Sequence, residues 1–230
     1  MRKTVVFFVL AVVLAVSSAS QAHASFTPCS PRGDDPAFLE LGNGCIDVQH
    51  YNIALRYNPA DGQLSGTTTL ELITTAAVTN GFWLDLDGMQ VRAVRVNGEA
   101  VGYSRQGANL HVAIARSYLP PQTALTVAVD YGGVPGLEAT KTLVSPGWQT
   151  TLTGHVMVAE PDGASLWYPS NDIPWDTARH TITITTPPGF SAIANGLPSR
   201  TRTETDGSTT VTWSQKSQMS PYLAFIAVGR

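Results

Sequence analysis

Apolar and polar residues alternate with a period of two along most of this chain. "DVQHYNIALRY" (47–57) alternates, "NPADGQ" (58–63) reads as a turn, and "LSGTTTLELIT" (64–74) is a β-branched run. "FWLDLDGMQVRAVRVNGEAV" (82–101) predicts two strands and a tight hairpin at Asn97-Gly98, because both central residues of that turn must take positive φ. "NLHVAIA", "ALTVAVDY", "TITITT", "TTVTWSQ" and "YLAFIAV" continue the same pattern. No window carries an apolar stripe at helical spacing for more than two turns. About a dozen short strands separated by turns predict an all-β fold, an antiparallel β-sandwich or saddle-shaped multi-stranded sheet.

The first residues break this pattern and set the compartment. Arg2 and Lys3 precede an unbroken apolar run, "TVVFFVLAVVLAV" (4–16), and "SSASQAHA" ends in Ala22-His23-Ala24. A basic head, a short apolar core and a small-x-small end make a secretory signal peptide, residues 1–24. The run is too short to span a bilayer, so the expectation is export, no membrane attachment after cleavage, and an extracellular location. "FTPCSPRGDDP" reads as a Pro- and Asp-rich lead-in, residues 25–36, before one β-domain over residues 37–230.

Removing residues 1–24 takes two of the 14 basic residues and none of the 17 acidic ones, leaving a net charge of −5. The basic residues are scattered, which argues against nucleic acid as a partner. Cys29 and Cys45 both lie in the exported part. An oxidising compartment makes a disulfide between them the default reading, with two free thiols as the alternative. Two cysteines do not make a zinc site, which needs four ligands or three plus water.

Candidate chemistry is sparse. His50, His111, His155 and His180 each sit in a strand-like run and are expected at or near the surface. No His-Glu-x-x-His, Gly-x-Ser-x-Gly or Gly-rich phosphate loop occurs. The exception to the plain strand pattern is "EPDGASLWYPSNDIPWD" (160–176), with four carboxylates and two tryptophans. Asp162, Asp172 and Asp176 are expected to be turn and cap residues, as carboxylates in Pro-rich loops usually are.

Three stretches, in order, resemble the N-terminal β-domain of the secreted aminopeptidase N family of zinc metallopeptidases. "ELGNGCIDVQHYNIALRYNPADGQLSGTTTLEL" (40–72) is similar to its opening strands. "EPDGASLWYPSNDIPWDTARHTITITTPPGFSAIANG" (160–196) is similar to its Glu-Pro segment and the strand that follows. "MSPYLAFIAVG" (219–229) is similar to the strand that closes the domain. The resemblance implies that Glu160 binds the free α-amino group of a peptide substrate. It implies that Pro161, Tyr168, Pro169, Asp172 and Pro174 support that site.

The resemblance covers the N-terminal domain alone. In the family the zinc ligands and the Gly-x-Met-Glu-Asn strand belong to a catalytic domain that follows. This chain is therefore expected to hold no metal, to carry no catalytic residue, and to be non-catalytic by itself. Zinc belongs to the full-length family, and peptide N-termini become partners once a catalytic domain is joined. The alternatives are a stand-alone secreted binding module and a remnant of a disrupted aminopeptidase gene. Departures from the family pattern are Ser170, where relatives carry Cys, and Val158, where several carry a Gln that lines the cleft. Trp167 and Trp175 are expected to cover the cleft-facing side of the loop.

Overall fold

The computed structural model describes residues 29–30, 39–136 and 147–230. Residues 1–24, where a signal peptide is expected, and most of residues 25–36 fall outside the described residues. Fifteen strands and two three-residue 3-10 turns make up the described part, with no α-helix among them. No helix there is long and apolar enough to cross a membrane.

Alternation builds the large sheet. β1 (Ile46–Asn58), β2 (Gln63–Thr74), β4 (Gln90–Val96), β5 (Glu99–Ala100), β8 (Ala124–Gly133), β11 (Ala178–Thr186), β13 (Leu197–Thr203) and β14 (Thr209–Met219) form it, in the order β13-β14-β11-β1-β2-β8-β4-β5. Tyr51, Ile53, Leu55, Leu64, Leu70, Leu72, Val127, Val129, Tyr131, Ile182 and Ile184 are buried on one face. Asn52, Ala54, Thr67, Thr69, Thr181 and Thr183 alternate with them on the other. There, cross-strand hydroxyl pairs such as Thr183–Thr212 (3.0 Å) and Thr185–Thr210 (2.8 Å) form. The hairpin at 97–98 closes β4 onto β5, and Asn97 and Gly98 hold φ of 52° and 86°.

Two details depart from the sequence expectation. β1 and β11 pair in parallel, His50 to Arg56 against Arg179 to Thr185, inside an otherwise antiparallel fold. No hairpin joins them; residues 59–177 lie between the two strands, so turn geometry does not fix their direction. The alternation of β1 also slips once. A register shift between Val48 and His50 moves the buried set from Ile46 and Val48 to Tyr51 and Ile53. One extra residue flips every later side chain to the other face.

β3 (Gly81–Asp85), β6 (Tyr103–Gln106) and β7 (Asn109–Ala113) make a three-stranded sheet in the order β3-β7-β6. β9 (Gly147–Thr150), β10 (Gly154–Val158), β12 (Ser191–Ala194) and β15 (Ile226–Gly229) make a four-stranded one in the order β12-β15-β10-β9. The four-stranded sheet meets the β1–β2 turn through an aromatic joint. Trp148 stacks on His155 at 5.1 Å, Tyr57 Oη lies 2.8 Å from His155 Nδ1, and Trp148 Nε1 donates to Gly62 O at 2.9 Å.

The sulfurs of Cys29 and Cys45 are bonded in the structure, with Cα atoms 4.9 Å apart. Closing a loop of 16 positions is worth about 3 kcal/mol in the chain-entropy model. Non-reducing peptide mapping of exported protein should recover the two cysteines in one cross-linked species. Recovery of alkylatable Cys29 from oxidised protein would overturn this expectation.

Candidate functional site

Glu160 lies just past the end of β10. Met157 and Ala159 point into the core, and Val158 and Glu160 alternate with them on the opposite face. The Glu160-Pro161 peptide is cis, and Gly163 N donates to Ala159 O at 2.6 Å, so the chain turns sharply straight after the carboxylate. Glu160 and Pro161 are exposed, and Asp162 is half-buried.

Beyond Asp162 the chain does not run over the surface. Residues 163 to 173 are all buried, 11 in succession. Such a segment must find partners for its own backbone polar groups. It finds them on several elements. Ser170 and Asp85 exchange both backbone hydrogen bonds, at 2.7 and 3.0 Å, which ties the loop to β3. Ser165 O accepts from Asp87 N at 2.7 Å. Asn171 N donates to Tyr51 Oη at 3.0 Å, on β1, and Tyr168 Oη donates to Pro221 O at 3.0 Å, ahead of β15. Ser220 Oγ donates to Pro174 O at 2.5 Å.

Buried side chains complete the attachment. Asn171 Oδ1 accepts from Asn43 N at 2.6 Å, and Asn171 Nδ2 donates to Asp176 Oδ2 at 2.5 Å. Asp176 Oδ1 accepts from Val48 N at 3.0 Å, beside the slip in β1. Asp172 Oδ2 accepts from Ser165 N at 3.1 Å. Asp85 Oδ2 accepts from Gly42 N at 2.9 Å and from Asp172 N at 2.8 Å. Gly42 holds φ of 76° with Ile173 packed where a Cβ would stand, so only glycine brings this N–H to Asp85.

Asp162 remains half-buried near the turn. Asp172 and Asp176 accept backbone donors, as turn and cap residues do, but they do so under the surface, where the loop is buried. Asp85 and Asp172 have pKa values pushed up to about 7 and about 8, mainly by burial. Asp176 is pushed up to about 7, again mainly by burial.

Two aromatic positions also differ from expectation. Trp167 does not cover an outer face; it is fully buried against Tyr168, while Trp175 is exposed. His180 is not at the surface; it is 1% exposed and stacks on Tyr51 with centroids 4.9 Å apart. Burial holds its imidazole down at about 4. Its alternation with Ile182 and Ile184 points inward, and polar residue type is the misleading cue. Ser170 is buried, and Val158 is half-buried beside the Glu160 turn. Asp85, Asn43, Asn171 and Tyr51 complete the seat and were not singled out from the sequence. The Gly-Asn-Gly motif was the one local signal for Asn43. Asp85 had none, since what buries it is the distant loop.

The Peptidase M1 N-terminal domain family matches residues 47–223. This chain belongs to that family. Its β-fold is therefore that of an M1 N-terminal domain. It is similar to the M1 zinc metallopeptidase of Deinococcus radiodurans at 33% identity and a TM-score of 0.77, covering 84% of this chain and 44% of that one. A mutant of that enzyme bound to a Tyr-Ser-Ala substrate gives the same identity and coverage, with a TM-score of 0.76. Yeast LTA4 hydrolase shares the fold at 18% identity and a TM-score of 0.63, covering 80% of this chain and 29% of that one. No curated protein sequence matches. The chain thus spans less than half the length of the Deinococcus radiodurans enzyme.

The Deinococcus radiodurans relative is a zinc metallopeptidase, but the donors among the described residues here do not fit a zinc ion. Among the described residues, no three His, Cys, Asp or Glu side chains converge in a metal-binding group. His50 pairs with Thr181 Oγ1 on the large sheet, His155 sits in the aromatic joint, and His180 is sealed beneath Tyr51.

Proposed function

We propose that this M1 N-terminal domain supplies the substrate amino-group anchor of a secreted zinc aminopeptidase, with Glu160 as the anchor. The zinc and the general base would come from a catalytic domain joined to it. One observation carries this reading: of the four carboxylates between residues 160 and 176, only Glu160 is exposed, and the buried seat fixes the backbone next to it. A substrate ammonium needs an anionic acceptor held in place before binding, so that a charge-assisted hydrogen bond sets the register at one residue. A blocked N-terminus leaves that acid unpaired and is rejected. Export, supported by the pattern of residues 1–24 and by the Cys29–Cys45 bond, would put this recognition outside the cell.

The 230-residue chain alone is expected to release no amino acid from aminoacyl-p-nitroanilides. Residues 25–230, put in place of the corresponding domain of the Deinococcus radiodurans enzyme, should give chelator-sensitive release. That release should be confined to substrates with a free α-amine. Equal rates on N-acetylated and free-amine substrates would sink the anchor reading, and chelator-sensitive turnover by the chain alone would sink the division of labour.

A further inference from the structure

Two carboxyl groups, Asp85 and Asp172, face each other under the Glu160 loop, a third, Asp176, is buried further along it, and among the described residues no cation balances them. Asp85 is 1%, Asp172 3% and Asp176 5% exposed. Among the described residues the ion pairs are His50–Glu71, Arg95–Asp130 and Arg202–Glu204, and none reaches this cluster. The groups facing it carry negative or no charge. Asp172 faces Asp85 across the loop–β3 contact and Asp162 along its own loop. Asp176 faces Asp47 from β1. The hydroxyls of Tyr51 and Tyr168 stay protonated, since burial raises both. His180, stacked on Tyr51, stays neutral above about pH 4.

Backbone donors reach both carboxyls, two on Asp85 Oδ2 at 2.8 and 2.9 Å and Ser165 N on Asp172 Oδ2 at the longer 3.1 Å. Gly42 N and Asp172 N converge on Asp85 Oδ2, which favours its ionised form. A second charge on Asp172 then stands beside the first in a water-excluded site. Like charges in that setting ionise in two separate steps, and the second is the costly one.

We infer that Asp85 and Asp172 are a positioning pair for the Glu160 loop, seating it against β3 while they share one charge and loosening it when both ionise. The contacts that would give way first are the Asp85–Ser170 backbone pair and the Asp87–Ser165 bond, which lie beside the two carboxyls. The sign of the pH effect comes from linkage. A carboxyl whose pKa is raised on folding holds more protons folded than unfolded. Its contribution is full below about pH 4 and is lost as pH rises through about 7 to 8. For catalysis, the pair matters only if Glu160 is the amino-group anchor. The seating itself does not depend on that reading.

Hydrogen exchange on the full chain tests it, at about pH 6 and about pH 8.5, with protection corrected for intrinsic exchange. Protection across residues 164–173 should fall about tenfold at the higher pH, relative to β2 and β8 in the same molecules. Asp85→Asn and Asp172→Asn, each a neutral mimic of the protonated acid, should keep the loop protected at both pH values. A flat wild-type profile overturns the inference, as does a variant that still shows the fall. So does Asp85→Asn losing protection at both values, because the charge would then be what holds the loop. If Asp85→Asn does not fold, the wild-type profile and Asp172→Asn decide. Glu160→Ala should leave exchange unchanged. A pH-dependent loop together with a fully active Glu160→Ala enzyme would keep the positioning pair and discard the anchor.

Discussion

Glu160→Ala should lower kcat/KM for free-amine substrates by about 10- to 150-fold once this domain is joined to an M1 catalytic domain. That range is the equivalent of about 1.5–3 kcal/mol for a hydrogen bond to a charged group. Glu160→Gln should fall between, since an amide oxygen still accepts a hydrogen bond without the charge. Asp162→Ala, two residues on, should change the rate little and serves as the control. Thermal melts of Glu160→Ala should stay close to the parent, because the side chain is exposed and carries no core contact. Rate loss without stability loss is the signature of an anchor. Full activity in Glu160→Ala would make the residue an ordinary turn position.

Trp167→Ala should have the opposite profile, a large stability loss. The indole is 0% exposed and stands edge-on to Tyr168, with centroids 4.6 Å apart. Removing it leaves a cavity that the surrounding sheets fill only in part, at a cost of about 3–5 kcal/mol. For a domain of this size that lowers Tm by about 10 °C. Trp167→Phe should cost far less, about 1–2 kcal/mol. Trp167 Nε1 has no hydrogen-bond partner, so the smaller ring gives up volume and no polar contact. A Trp167→Ala chain that melts with the parent would show that the loop is not part of the core. Chimeras that carry it should lose activity only in proportion to the unfolded fraction.

These two residues are seven positions apart, and one loop gives them opposite duties. The buried stretch 163–173 hydrogen-bonds to β3, to the Tyr51 hydroxyl on β1 and to Pro221 O, and in return it fixes where Glu160 emerges. A mobile carboxylate at that place would lose side-chain and backbone freedom on each binding event, which weakens any gain from an ammonium contact. The core packing of this segment is therefore tied directly to recognition.

The family resemblance marked the Glu-Pro segment as the place to look, while local pattern was enough to read the strands, the hairpin at Asn97-Gly98 and the lack of long helical stripes. Each of these rests on neighbours within a few positions, where a period of two or a turn residue's φ preference acts without help from distant chain. What covers each face was settled only by long-range packing. Trp83 and Asp85 lie on the side of β3 that alternation marks as outward, yet Asp85 is buried because the loop at Ser170, 85 positions on, pairs with it. The slip at Val48 and His50, the parallel match of β1 with β11, and the inward place of Trp167 have the same origin. Alternation assigns side chains to two faces, but which face meets water depends on which distant segment packs there. That choice arises from contacts between residues far apart in the chain, which no local pattern encodes.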